Sequence, residues 1–355
     1  MIQRFAMSLR ACGKLDCERV LGRARSSPKL IHLPKAVGRR KVGANADSDA
    51  EADEELEHGP MPLMPGYLLH SLAFIYTTEK GARVDEGFIG VGFVVGVPST
   101  EHRSFHMDYI VTAYHVIRGL KHVTLRFNLK NGGVHIVKNI PLKEWMANPK
   151  VDIALMPVAL GGFEFSFVPH GHFVDQEKME QHKIGAGDEV CLIGRVSRKG
   201  MKYRQHNVSV LRFGNIALVP QHEETMFLVE LRSIAGHSGS PVIVYCPPYT
   251  IAGARERIQM WNGFLLLGVN RGHINEYEEI VSRRDFKTTS KHWVSQTNMA
   301  MSFVAPAWHI NDLLNLPVVV QHRTTAHAEL KRQLTGFRED DSSTRSVPRN
   351  SKREP

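Results

Sequence analysis

Short apolar segments alternate with turn residues along most of this chain, and that alternation confines it to an all-β architecture. Leu72–Tyr76, Phe88–Val95, Val123–Leu129, Val134–Ile140, Glu189–Ile193, Asn207–Arg212, Phe227–Leu231 and Phe264–Val269 have strand length and strand composition. Lys130-Asn131-Gly132-Gly133 and Gly185-Ala186-Gly187-Asp188 are turn signals between them. Antiparallel strands this close in sequence build a sandwich or a barrel. With 42% apolar residues among 355, the chain can bury a large core.

The two ends read differently. Residues 1–42 are basic and lack a strand period, and seven acids follow between Asp47 and Glu57. Beyond Gln321 the chain is again polar and charged, with Ala326–Phe337 suited to a short exposed helix. Such charge blocks seldom fold alone. The expectation is therefore a disordered N-terminal tail over 1–64, a folded region over 65–322 and a disordered tail over 323–355.

Within the folded region, Gly236-His237-Ser238-Gly239-Ser240-Pro241 carries the most chemical information. Glycines on both sides of a serine permit a tight turn that a side chain would block. Such a turn exposes the hydroxyl and aims neighbouring N–H groups at one point, where an oxyanion can be held. A plain Gly/Ser/Pro turn between strands has the same composition, so the partners decide. A serine hydroxyl needs a base to take its proton, and the base needs an orienting group. Tyr109–Thr112 is a buried-strand run, and Ala113–Arg118 reads as one helical turn stopped by Gly119. His115 sits on that turn, just past the strand end. Asp152 opens the apolar run Ile153-Ala154-Leu155-Met156, where a carboxylate must be solvated or paired. An aspartate there can also bond only its own backbone. Asp108 is the rival acid, but it begins the strand that leads to His115 and so lies a strand length away.

Thr112-Ala113-x-His115, Asp152-Ile153-Ala154-Leu155 and Gly236-x-Ser238-Gly239-Ser240-Pro241 together resemble the three signature segments of the trypsin-like (chymotrypsin-fold) serine peptidases, in that family's order. Gly90-Val91-Gly92-Phe93 resembles the strand before the histidine. Leu267-Gly268-Val269-Asn270 resembles the strand that lines the substrate pocket, and Ser302–Ala307 the final strand before a C-terminal helix. The resemblance covers roughly residues 66–320. It implies two antiparallel β-barrels, 65–166 carrying His115 and Asp152, and 167–322 carrying Ser238 and a short C-terminal helix. It further implies a serine endopeptidase with His115 as base, Asp152 as its orienting acid and Ser238 as nucleophile. The N–H groups of Gly236 and Ser238 would form the oxyanion hole, and no cofactor or metal would be needed. The partner would be a protein or peptide substrate. An esterase on the same triad and a catalytically silent peptide-binding module remain the alternatives. An α/β-hydrolase is disfavoured because its order is Ser, Asp, His.

Cys12, Cys17, Cys191 and Cys246 form no trypsin-type disulfide pair, and Val116 stands where animal trypsins have a cysteine. That fits a bacterial, disulfide-free branch, with Cys191 and Cys246 as small buried hydrophobes. The candidate pocket residues are Arg232, Ser233, Asn270 and Arg271. Neither Leu231–Ala235 nor Gly268–Gly272 contains an acid, so an uncharged pocket for small or apolar side chains is expected in place of one for Lys or Arg. If Arg232 or Arg271 points inward, acidic side chains are favoured instead.

Part of the net charge of +9 sits in the two terminal segments, and no run interleaves Lys/Arg with aromatics, so nucleic acid is not an expected partner. Cys12 and Cys17 lack a second pair for zinc. No apolar stretch is long enough to span a membrane, and charges interrupt Met1–Val20 as an export signal, which together point to the cytoplasm.

Overall fold

The computed structural model of the chain describes residues 65–99, 105–129, 133–159, 166–195, 206–221, 226–246, 263–280, 284 and 294–343. The N-terminal tail expected over 1–64, with Cys12 and Cys17, lies outside these residues, as does the side chain of Cys246.

Two sheets account for the architecture. The first holds β1 (Leu72–Tyr76), β2 (Phe88–Pro98), β3 (His106–Ala113), β4 (His122–Asn128), β5 (Val134–Pro141), β6 (Met146–Asn148), β7 (Ile153–Val158) and β8 (Val168–Pro169). Its spatial order is β5-β4-β1-β2-β3-β7-β6, with β8 parallel to β2 and every other pairing antiparallel. The second holds β9 (Glu189–Gly194), β10 (Val210–Leu218), β11 (Phe227–Glu230), β12 (Pro241–Cys246), β13 (Gly263–Glu279) and β14 (Val294–Pro306), closed as a barrel in the order β10-β11-β14-β13-β12-β9. This is a two-barrel all-β fold of chymotrypsin type. The first of the two is a half-barrel. Its end strands β5 and β6 do not pair, and β6 offers only three residues for a ladder.

The closed barrel fills its interior by the two-residue period of a strand. Val190 and Leu192, Val242 and Val244, and Leu265 and Leu267 all point inward and are buried in one cluster with Phe227 and Val304. Each such side chain contributes roughly 1.5–3 kcal/mol by leaving water. The first sheet differs. All five residues of β1 are buried, as are Val111 and Thr112 of β3, so both faces are covered and alternation disappears.

The helices are α1 (Glu79–Val84), α2 (Tyr114–Ile117), α3 (Gln176–His182), α4 (Trp308–Leu314) and α5 (Pro317–Ser343). α5 runs through much of the segment expected as a tail and includes the stretch Ala326–Phe337 expected as a helix. Proline at its first position is preset for a helix start. Ala326, Ala328, Glu329, Leu330, Lys331, Arg332, Gln333 and Leu334 are good helix formers. Val319 and Ala326, two turns apart, are buried and fix one face of the helix against the body.

A buried charge cluster ties the two sheets together. Arg195 follows β9 of the second barrel. Its guanidinium meets Asp85 at 2.6 Å and the Tyr76 hydroxyl at 2.8 Å, both from the first sheet's side, and lies over the rings of Phe74 and Phe88. Tyr76 donates to Asp85 at 2.5 Å, and Arg126 lies 3.6 Å from the same carboxylate. Burial, reinforced by the bond to Asp85, pushes the Tyr76 hydroxyl up to about 12. All four side chains are almost fully inaccessible, so mutual pairing is what makes their burial tolerable.

Candidate active site

β3 and β7 run antiparallel with Ala113 opposite Ile153. That register carries the next residues of β3 to the residue that precedes β7. The Tyr114 N–H donates to the Asp152 carbonyl at 2.9 Å, and the His115 N–H donates to Asp152 Oδ1 at 2.8 Å. His115 Nδ1 then meets Asp152 Oδ2 at 2.6 Å. Asp152 is 5% exposed and has a positive φ of 60°, a left-handed conformation that aspartate tolerates better than most residues and that is found where function holds it. A carboxylate can only accept, so the proton of the contact belongs to Nδ1, which in the neutral ring puts the lone pair on Nε2. His115 is half-buried, with its ring reachable from solvent. The rival Asp108 is elsewhere, at the far end of β3 beside His106 at 3.2 Å.

The serine loop is docked on the same strands. The Ser238 carbonyl accepts the Val91 N–H of β2 at 2.9 Å, and the Thr112 hydroxyl, three residues before His115, donates to the Val91 carbonyl at 2.7 Å. Gly239 has φ +84°, and a Cβ there would run into the Val91 carbonyl and the Thr112 hydroxyl. Gly236 has φ +93°, with the Phe88 ring where a side chain would go. Both glycines are required by backbone conformation and by close approach. The loop is thus docked, through Val91 and Thr112, on the strands that lead to His115. The Ser238 hydroxyl itself donates to the Arg271 carbonyl at 3.3 Å. The N–H groups of Gly236 and Ser238 make no backbone hydrogen bond among the described residues.

The pocket candidates separate into three kinds. Ser233 and Asn270 are buried and bonded to each other at 3.3 Å, and Asn270 also donates to the His237 carbonyl at 2.9 Å. They brace the serine loop. Arg232 is exposed on its surface. Arg271 is half-exposed, and its Nε lies 3.3 Å from Asp152 Oδ2, the same oxygen that His115 uses.

His237 is the buried residue of the serine loop that motif reading passes over, because the hexamer matches with any residue at that position. Its side chain is fully buried. Nε2 meets the Arg195 carbonyl at 2.8 Å, so Nε2 is the donor, and Nδ1 accepts the Ile234 N–H at 3.4 Å. Burial holds the imidazole down at about 4, so it is neutral in ordinary conditions and fits this donor–acceptor pattern. The neutral ring links the serine loop to Arg195 and, through Arg195, to the buried charge cluster. Cys191 is a free, buried thiol whose pKa burial pushes up to about 12, which makes it an inert core residue. Among the described residues no group of three or more His, Cys, Asp or Glu is placed to hold a metal, and no helix is long and apolar enough to cross a membrane.

No family model and no curated protein matches this chain. Solved structures of similar shape include the MamO protease domain from Magnetospirillum magneticum, with a TM-score of 0.40, 12% identity and coverage of 70% of this chain and 97% of that one. The HtrA-type protease AlgW with a decapeptide gives 0.39 and 13% over 72% of this chain and 66% of that one. Deg5 gives 0.35 and 16% over 58% and 80%. At these scores and identities, function has to be read from the site itself.

Proposed function

We propose that this protein is a serine endopeptidase that works through an acyl-enzyme formed on Ser238. The observation that carries the reading is the double contact of Asp152 with His115, one oxygen on the backbone N–H and the other on Nδ1, together with a serine loop that has two positive-φ glycines and docks on Val91. In the neutral ring that contact selects the tautomer with its lone pair on Nε2, the form a general base needs.

In this reading the Ser238 hydroxyl turns from the Arg271 carbonyl toward His115 Nε2 and attacks the scissile carbonyl as Nε2 takes its proton. Oxygen charge in the tetrahedral intermediate is held by the N–H groups of Gly236 and Ser238. The C–N bond then breaks, and His115 returns the proton to the leaving amine. Water, activated by His115 in the same way, releases the acid and regenerates the hydroxyl. Asp152 stabilises the imidazolium that forms in both halves.

One observation favours a second reading. Ser238 is bonded to Arg271 and not to the base, an arrangement that suits a peptide-binding module without turnover. Incubation with an unfolded protein substrate separates the two. The peptidase reading expects fragments from the wild type and none from Ser238→Ala. Fragmentation at equal rates by both proteins would overturn the Ser238 assignment, and no fragmentation with retained peptide binding would establish the module.

A further inference from the structure

Arg271 is placed as no structural arginine needs to be. It is the unpaired residue of a β-bulge: in the β13–β14 ladder Asn270 faces Val304 and Gly272 faces Phe303, leaving Arg271 without a partner. A bulge bends a strand and re-aims the extra side chain, and Gly272 follows with φ +157° to make the bend. The backbone of Arg271 touches the nucleophile, because its carbonyl accepts from Ser238 Oγ at 3.3 Å. Its side chain touches the other half of the triad, with Nε 3.3 Å from Asp152 Oδ2. Arg271 therefore bridges the two sides of the proposed site, its backbone on Ser238 and its guanidinium on Asp152.

Its own needs are poorly met there. Nη1 reaches only the Met226 sulfur at 3.4 Å, a weak acceptor, and the Asp152 oxygen is shared with His115. Nη2 has no partner among the described residues, and the side chain is 44% exposed. The next acids along β13, Glu276, Glu278 and Glu279, lie at least five residues on, about 16 Å along a strand. A bound peptide would cover this guanidinium, and a covered cation must be paired. A planar carboxylate matches its fork with two parallel hydrogen bonds.

We infer that Arg271 is a specificity residue that receives the carboxylate of a substrate Asp or Glu side chain immediately flanking the scissile bond. The inference rests on the peptidase reading and gives it a substrate class. Pairing with that carboxylate would also draw the guanidinium from Asp152 and leave Oδ2 to His115 alone, whereas a Lys or Arg side chain in the same place would meet like charge.

The test uses end-blocked peptides in pairs that differ only by Glu or Gln at each position next to the cut. At one such position the wild type should cleave the Glu peptide with about tenfold or greater advantage in kcat/KM, the size expected of a charge-assisted hydrogen bond. Arg271→Gln should bring the Glu/Gln ratio close to one, and Arg271→Glu should bring it below one. Thermal midpoints of both variants check that the fold survives. A wild-type ratio near one, or a Glu preference that persists in Arg271→Gln, would overturn the inference. So would an advantage seen only with a free C-terminal carboxylate. If the wild type cuts nothing, the same pairs are titrated against Ser238→Ala and its Arg271→Gln double variant. A Glu preference that needs Arg271 then upholds the recognition although the peptidase reading has failed, and its absence removes both.

Discussion

The first sheet and the closed barrel each supply part of the site, and they do it by different means. His115 and Asp152 both come from the first sheet, where the pairing of Ala113 with Ile153 is enough to bring their backbones into hydrogen bonding. Strand register builds that pair. Ser238 comes from the second barrel on a loop that no single ladder defines. It is held by Asn270 on the His237 carbonyl, by Asn298 donating to the Ser233 carbonyl at 2.6 Å and by His237 on the Arg195 carbonyl. Buried polar contacts build the loop. A pair built by register should survive most side-chain changes around it, whereas a loop built from buried polar contacts should fail when any one of them is removed.

The largest effects should come from the reacting groups, where the contrast vanishes because both halves act as one unit. Ser238→Ala, His115→Ala and Asp152→Asn should each lower kcat by about 10⁴-fold or more, and the double variants should lose little further. Steady-state kinetics on one peptide substrate checks this; losses that multiply would mean that the three do not act together.

Next in size is Asp85→Ala. It removes the carboxylate shared by Arg195 and Arg126 and leaves two buried guanidinium groups short of a counter-charge. A loss of about 3–5 kcal/mol in unfolding free energy is expected from denaturant titration. Because Arg195 also anchors His237, kcat should fall even where the protein remains folded.

The His237 contact gives a pH signature. Its imidazole titrates near 6.5 when unfolded and near 4 when folded. Between these values the unfolded chain binds more protons, so stability is complete above about 6.5, falls as the pH drops toward 4 and levels off below it. The full change is on the order of 3 kcal/mol. Burial lowers the pKa of His135, His170, His172, His182 and His322 as well, so the part due to His237 is the slope lost in His237→Asn. An unchanged slope in that variant would refute the role given to the ring.

The smallest effect should be on the first sheet's side. Thr112→Val keeps the shape of the side chain and removes only the bond to the Val91 carbonyl. About 1 kcal/mol of stability should be lost, with kcat nearly unchanged. A large fall in kcat would show that the His115–Asp152 pair also depends on buried polar support.

The same contrast decides what was legible in the sequence. Strands such as Leu72–Tyr76 could be bounded from composition, because burial on both faces leaves an unbroken apolar run. Asp108 could be set aside because it begins the strand that leads to His115 and so lies a strand length from it. The positive φ of Gly236 and Gly239 matches the turn that the Gly-x-Ser-Gly string implied. Side-chain partners across the fold could not be read. The contact of His237 with Arg195 spans 42 residues, and that of Tyr76 with Arg195 spans 119. Nor could the bulge that re-aims Arg271, since bulges depend on the register of two distant strands. The helix Pro317–Ser343 was legible only in part, over Ala326–Phe337, because its many charges read as a tail although its helix formers were plain.

The central claim is that the His115–Asp152 pair activates Ser238, and covalent labelling tests it most directly. The protein is treated with a fluorophosphonate, and intact mass and peptide mapping follow the adduct with time. The account predicts one adduct per chain, mapped to Ser238, absent in Ser238→Ala and formed at least about 100-fold more slowly in His115→Ala. Absence of any adduct on the folded wild type, an adduct on another serine, or labelling of Ser238 at an undiminished rate without His115 would contradict it.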